Sequence, residues 1–169
     1  GELMEGIGVT DTLKQVVISG DGNINGFYDV AANMMDDSIQ SIQIAPNGVV
    51  TEIYPEEGNE SGKIDLINDS DRGEISRYAR DNDTVIMQGP FELKQGGYGI
   101  AVRNPVYLED ENGKKSFWGF TIVILKVPEI FSDSVEALSN FGYKYSLQKC
   151  ASPKDDTYEW VYGSKKELN

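Results

Sequence analysis

Residues 89–125 read GPFELKQGGYGIAVRNPVYLEDENGKKSFWGFTIVIL. Gly-Pro-Phe and a Gly-rich turn open the stretch. Residues 99–108 then read as a strand, 109–115 (EDENGKK) as a polar hairpin loop, and 116–127 as a second strand. The second strand is apolar on both faces, which places it at the centre of a sheet covered on both sides. The first has two unlike faces: Ile100, Val102, Val106 and Leu108 on one, and Gly99, Ala101, Arg103 and Tyr107 on the other. Arg103 therefore sits mid-strand beside residues with almost no side chains. Small neighbours beside a long cation leave a hollow with a charge pointing into it. A guanidinium so placed suits a carboxylate or phosphate held in a forked geometry. The bland alternative is an arginine paired with an internal acid, or one on an open sheet face. If Arg103 is buried, an anion is expected beside it either way.

Working outward toward the N-terminus, residues 84–88 read as a short strand and 91–97 (FELKQGG) as a loop. Gly96 and Gly97 let its backbone approach something closely. Before these, residues 71–81 form a helix with Asp at its start and Ile75, Tyr78 and Ala79 facing inward. Arg72, Arg77 and Arg80 fall on its solvated side, with Arg77 able to turn toward a groove. Residues 55–63 are a polar loop. Pro46-Asn47-Gly48 is a turn joining a strand at 41–45, with Ile42 and Ile44 alternating, to a return strand at 49–54 carrying Val49, Thr51 and Ile53 on one face. Val9, Leu13, Val16 and Val17 mark one helix, and Phe27, Val30, Ala31, Met34 and Met35 mark another. Toward the C-terminus, Pro128 fits the first turn of a helix with Ile130, Phe131, Val135 and Leu138 on its buried side. Residues 143–148 and 158–162 are expected as final strands that close the sheet. The sum is an α+β domain, helices packed on one mostly antiparallel sheet.

Composition bounds the chemistry. At 169 residues and 39% apolar content the chain is long enough for a single domain with a real core. A net charge of −13 argues against nucleic-acid or anionic-membrane binding over the general surface. The absence of His excludes His-based acid–base catalysis, Ser-His triads and His metal sites. The lone Cys150 gives no internal disulfide and no zinc cluster. The longest apolar run, residues 117–125, is far short of the roughly 20 residues of a membrane span. The chain begins at Gly1 without Met. It is therefore expected to be an excised fragment, any flanking membrane segments lying outside it.

Other motifs are weaker. Gln95-Gly96-Gly97 presents backbone N–H groups, but there is no GxGxxG between a strand and a helix and no phosphate-binding P-loop. Glu52, Glu56, Glu57 and Glu60 read as a solvated acidic loop. The run Glu109, Asp110, Glu111, Asn112, Gly113 lacks the full calcium-loop pattern and reads as a hairpin tip. No metal or cofactor is expected.

Taken together, IAPNGVVTEIYPEEGNE (44–60), the helix ending RYARDND (77–83), GPFELKQGGYGIAVRNPVYL (89–108) and FWGFTIVIL (117–125) resemble the CHASE domain. FGYKYSLQK (141–149) resembles the segment that follows in bacterial members. CHASE is the extracellular sensory domain of bacterial histidine kinases and diguanylate cyclases and of plant cytokinin receptors. The resemblance implies a PAS-like fold in one domain over residues 1–169: a helical lead-in at 1–38, a core at 39–150 and a closing strand and tail at 151–169. It implies a non-enzymatic sensor on the outer face of a bacterial membrane, set between two transmembrane helices, that binds a small molecule and signals to a cytoplasmic module.

In the plant branch the polar ligand contacts match Thr51 and Arg103 by motif position. That branch has an acidic residue at the first and a hydroxyl residue at the second. Thr and Arg here argue against an adenine-type ligand and favour an anionic, carboxylate-bearing one. Phe91, Gln95, Gly96, Gly97 and Tyr107 become candidate pocket lining, with Tyr54 and Asn59 on the opposite rim. A homodimer through the stripe at residues 9–17 is the expected assembly. The rival readings are a protein-interaction module without a small-molecule ligand and a carboxylate-based secreted hydrolase.

Overall fold

In the computed structural model the described residues are 2–56, 64–127, 146–150 and 158–163, the last two segments by their backbone. Alternation along three neighbouring strands builds the domain. β1 (Ile39–Pro46) pairs with β5 (Lys115–Val127), and β5 pairs with β4 (Tyr98–Glu109), both antiparallel. β2 (Glu52–Tyr54) and β3 (Ile86–Glu92) form the edges, giving the order β2-β1-β5-β4-β3. The strand apolar on both faces is thus central, with a paired strand on each side and both faces buried over residues 119–125.

One sheet face carries Ile42, Ile44, Val102, Val123 and Leu125 and is covered by α1 (Glu2–Ser19) and α2 (Phe27–Met34). Leu13 and Val17 of α1 and Phe27 and Ala31 of α2 are fully or almost fully buried against it. The opposite face carries Ala45, Ala101, Phe120, Ile122 and Ile124. It is covered by Ala79 and Ile75 of α3 (Gly73–Asn82) and by the segments around Val50 and Leu66. The main body is a three-layer α+β sandwich built on this five-stranded antiparallel sheet.

A buried polar clasp fixes α1 to the sheet. Asn104 Nδ2 donates to Asp11 Oδ1 at 2.7 Å and to Thr10 Oγ1 at 3.3 Å. Thr121 Oγ1 donates to the Thr10 carbonyl at 2.8 Å. These bonds satisfy Asn104 and Thr121, which would otherwise be costly in an apolar layer.

Several expectations need correcting. The return after Pro46-Asn47-Gly48 does not run as one strand. Val49 bridges Asp65, the Val50 N–H donates to the Ile64 carbonyl, and the Leu66 N–H donates to the Gly48 carbonyl. This inserted pairing turns Val50 inward and leaves Thr51 exposed. Tyr78 is 43% exposed and does not face inward. Phe91 belongs to β3, which continues through a register shift after Gln88. β6 (Ser146–Cys150) and β7 (Tyr158–Gly163) do not close the main sheet; they pair with each other in a second, two-stranded sheet. The stripe offered as a dimer face packs on its own sheet through Leu13 and Val17, which removes that argument for pairing. The helix expected after Pro128 lies outside the described residues.

Ser76 on the inner side of α3 is buried, and its Oγ has no partner among the described residues. Removing an unsatisfied hydroxyl costs no hydrogen bond, and Ala is the better helix former. Ser76→Ala is expected to raise stability by about 0.5–1 kcal/mol, read as a shift in the urea midpoint at unchanged slope.

Candidate functional site

Cross-strand pairing lays out the floor of a cavity as two rungs. Gln43, Ile122 and Arg103 are register partners across β1, β5 and β4, and Ser41, Ile124 and Ala101 form the next rung. Ala101, with no side chain beyond Cβ, leaves the space into which Arg103 reaches. The space of Gly99 is taken instead by Leu93, whose Cδ2 lies 2.9 Å from where a Cβ on Gly99 would stand. The roof comes from Val50, Ile64 and Leu66 on one side and from Phe91 and Leu93 past the β3 shift on the other. Arg72, at the entrance to α3, and Gln40 complete the lining. The cavity measures about 120 Å³.

Arg103 is 3% exposed. Its NH1 donates to Gln88 Oε1 at 2.6 Å, and Gln88 Nε2 donates to the Asp71 carbonyl at 2.8 Å. No carboxylate among the described residues is in ion-pair contact with Arg103. An internal acid partner was one expectation for a buried arginine; among the described residues its partner is a neutral amide. Burial lowers the guanidinium to about 10, the nearby Arg72 charge adds to the drop, and Asp69 opposes it. Arg103 therefore stays a cation at neutral pH, held where a cation is poorly solvated.

Arg72 was expected on the solvated side of its helix. It lines the cavity because Asp69 holds it there. Asp69 Oδ2 accepts the Asp71 and Arg72 N–H groups at 3.0 and 2.9 Å and pairs with Arg72 NH1 at 3.3 Å. Asp69 thus caps the turn ahead of α3, a role expected of Asp71 from the sequence. Burial pushes the Asp69 carboxyl up, but the N–H groups of Arg72 and Asp71 and the Arg72 charge outweigh it and hold it below its ordinary 3.8.

A carboxyl lowered in the folded state stabilises above its unfolded value, and that contribution is lost as pH falls through the folded value. Asp69→Ala is expected to cost about 1 kcal/mol at pH 7, the usual worth of a cap. The difference from wild type should vanish as pH drops below 3.8 toward the lower folded value. Urea unfolding at pH 7 and at pH 2.5 checks this; an unchanged difference at both would remove the capping role.

Of the residues singled out from the sequence, the structure brings Arg103 and Phe91 to the cavity. Thr51 is exposed and does not line it, because the inserted pairing at Val50 turns it outward. Gln95, Gly96 and Gly97 form the exposed β3–β4 turn, where both glycines have positive φ, and they lie off the cavity. Tyr107 donates its hydroxyl to the Arg80 carbonyl and packs on Phe117, tying β4 to α3. Tyr54 packs against Tyr28 with the two rings tilted by 58°. Asn59 lies outside the described residues. Arg72, Gln88, Gln40, Ser41, Gln43 and Leu93 were not singled out. Only Ser41 and Gln43 had a signal, as polar residues alternating with Ile42 and Ile44 in a strand.

An antiparallel sheet with helices on both faces and a small charged cavity on one of them defines a PAS-like α+β domain. The chain belongs to the CHASE domain family, whose model matches residues 28–155. CHASE domains are extracellular sensory domains, and this is one. The match reaches back into α2, ahead of the stretch on which the sequence resemblance rests. Compared by sequence, no curated protein matches the chain. Among solved structures, an extracellular ligand binding receptor from Desulfohalobium retbaense is similar over 99% of this chain, with a TM-score of 0.60 at 13% identity. The chain spans 29% of that receptor's length, and at this identity the likeness is one of fold. Among the described residues, no helix is long and apolar enough to cross a membrane.

Proposed function

We propose that this domain senses a small anion and that Arg103 is its principal contact. The observation that carries the reading is a buried arginine on the wall of a cavity with only a neutral partner among the described residues. A protein retains such a charge at a cost, and a bound anion removes that cost. The described lining contains Arg72 as a second cation and no Asp or Glu. That composition suits an anionic ligand and offers no facing pair of acids for a hydrolase.

In this reading the domain is the outer part of a membrane-bound bacterial signalling protein, a histidine kinase or a diguanylate cyclase. The fold provides a route for the signal. Arg103 and Asn104 are consecutive on β4 and face opposite sides; the first reaches the cavity, and the second is clasped to α1. An anion that draws on Arg103 and Arg72 favours one placement of β4 and hence of α1. The difference in its affinity for the two placements is the signal.

A thermal-shift series of the 169-residue chain against small carboxylates and phosphates tests the reading. A ligand at about 100 times its dissociation constant adds roughly 2.7 kcal/mol of stability. No shift with any anion would overturn it.

A further inference from the structure

Resting on that reading, we infer that the anion is a short monocarboxylate of three or four carbons, its head on Arg103 and Arg72 and its tail in the apolar part of the cavity.

Three features of the lining select this class. Eight of the thirteen described lining residues are apolar, Phe91, Leu93, Ile122 and Ile124 among them. A phosphate or sulfate would press charged oxygens against this wall, whereas an alkyl tail gains from it. Among the described lining residues the cations are Arg103 and Arg72, which suit one head group. The second carboxylate of a dicarboxylate would find no further cation among the described lining residues, only the neutral polar groups of Gln40, Ser41 and Gln43 and apolar side chains. An ammonium-bearing ligand such as an amino acid would meet two arginines and no carboxylate among the described lining residues.

Volume sets the length. A 150 Å³ cavity holds benzene, with six heavy atoms, so about 120 Å³ holds about five or six that pack less bulkily than a ring. Propionate and butyrate have that size. Arg103 offers a planar fork that matches a carboxylate, although one nitrogen is already engaged by Gln88. Leu93 closes the tail end: it is half-buried, packs over Gly99 and comes from the β3 side of the roof.

Calorimetric titration of the 169-residue chain with acetate, propionate, butyrate, hexanoate, succinate, alanine and inorganic phosphate at constant ionic strength tests the assignment. Affinity is expected to rise about fourfold per methylene from acetate to butyrate, the worth of one buried CH₂. It should then fall at least tenfold for hexanoate, with succinate, alanine and phosphate weaker than propionate. Leu93→Ala, at a half-buried position, should move the optimum to a longer chain while Arg103→Met abolishes binding by all of them. Tightest binding by phosphate, succinate or alanine, lost in Arg103→Met, would overturn the monocarboxylate assignment and leave the anion reading standing. A flat response from acetate to hexanoate would overturn the apolar-tail placement. No binding by any of the seven would overturn the anion reading and this assignment with it.

Discussion

Arg103→Met is expected to melt several degrees higher than the wild-type protein and to gain no stability from any anion. The two halves of this result come from one cause. The guanidinium is 3% exposed, and its lowering to about 10 comes first from burial and then from Arg72, with Asp69 opposing. A shift of that size corresponds to roughly 3 kcal/mol of unfavourable surroundings for the charged form. For a base lowered in the folded state, the cost is present in full below about pH 10. It is relieved only as pH rises from there toward the unfolded value, where the unfolded chain still holds the proton and the folded one does not.

Met replaces the aliphatic stem of Arg103 and carries no charge, so the penalty disappears while the floor of the cavity stays largely filled. Gln88 Oε1 loses its donor, which offsets part of the gain. A net stabilisation of about 1–3 kcal/mol is expected, in line with replacements of other buried charges by apolar side chains. For a domain of this size that is a rise of roughly 3–9 °C. Differential scanning calorimetry with and without propionate measures both effects. A variant destabilised by several kcal/mol would show that Arg103 holds the fold together, and the case for it as a ligand contact would fail.

Gly119→Ala is the change expected to damage the fold most. Gly119 sits in the central strand β5, paired with Pro46 on one side and Val106 on the other. Its φ is +150°, and a Cβ there would stand 2.1 Å from the Ala45 carbonyl oxygen and 2.9 Å from Pro46 Cα. These are backbone atoms of the neighbouring strand, so no side chain can swing aside. Accepting even a methyl group requires β1 to separate from β5 at their upper end. It also forces a residue with a side chain into a backbone region costing about 1–3 kcal/mol. Clash and strain together are expected to cost about 4 kcal/mol, a value reached by few single substitutions. Chemical denaturation measures it, and a loss under 1 kcal/mol would mean that the two strands are not held at this separation. The register shift between Val106 and Tyr107 lies at the same level of the sheet, so the irregular geometry is shared by β4 and β5.

Local alternation carried much of this domain on its own. The two apolar faces of residues 116–127 required a central strand. The unlike faces of residues 99–108 sent Arg103 to one side with Ala101 and sent Val102 and Val106 to the other. Helical spacing located the buried faces of α1 and α2. These features depend on residues near each other in sequence, where side-chain direction follows from strand or helix period alone. The CHASE resemblance was legible for the same reason, since its motifs are strand and turn segments read in order.

The rest was decided by pairings between distant segments, to which no period points. The bridge of Val49 to Asp65 turned Val50 inward and Thr51 out. The cap by Asp69 aimed Arg72 at the cavity, although helical period had put it in solvent. The shift after Gln88 carried Phe91 and Leu93 over the sheet, and with Leu66 they set the volume. The sequence by itself determined that an arginine faces a hollow on one side of the sheet. Only the tertiary structure decided how large the hollow is, which second cation reaches it and that most of its described lining is apolar, because a cavity is built by segments that meet only when the chain has folded.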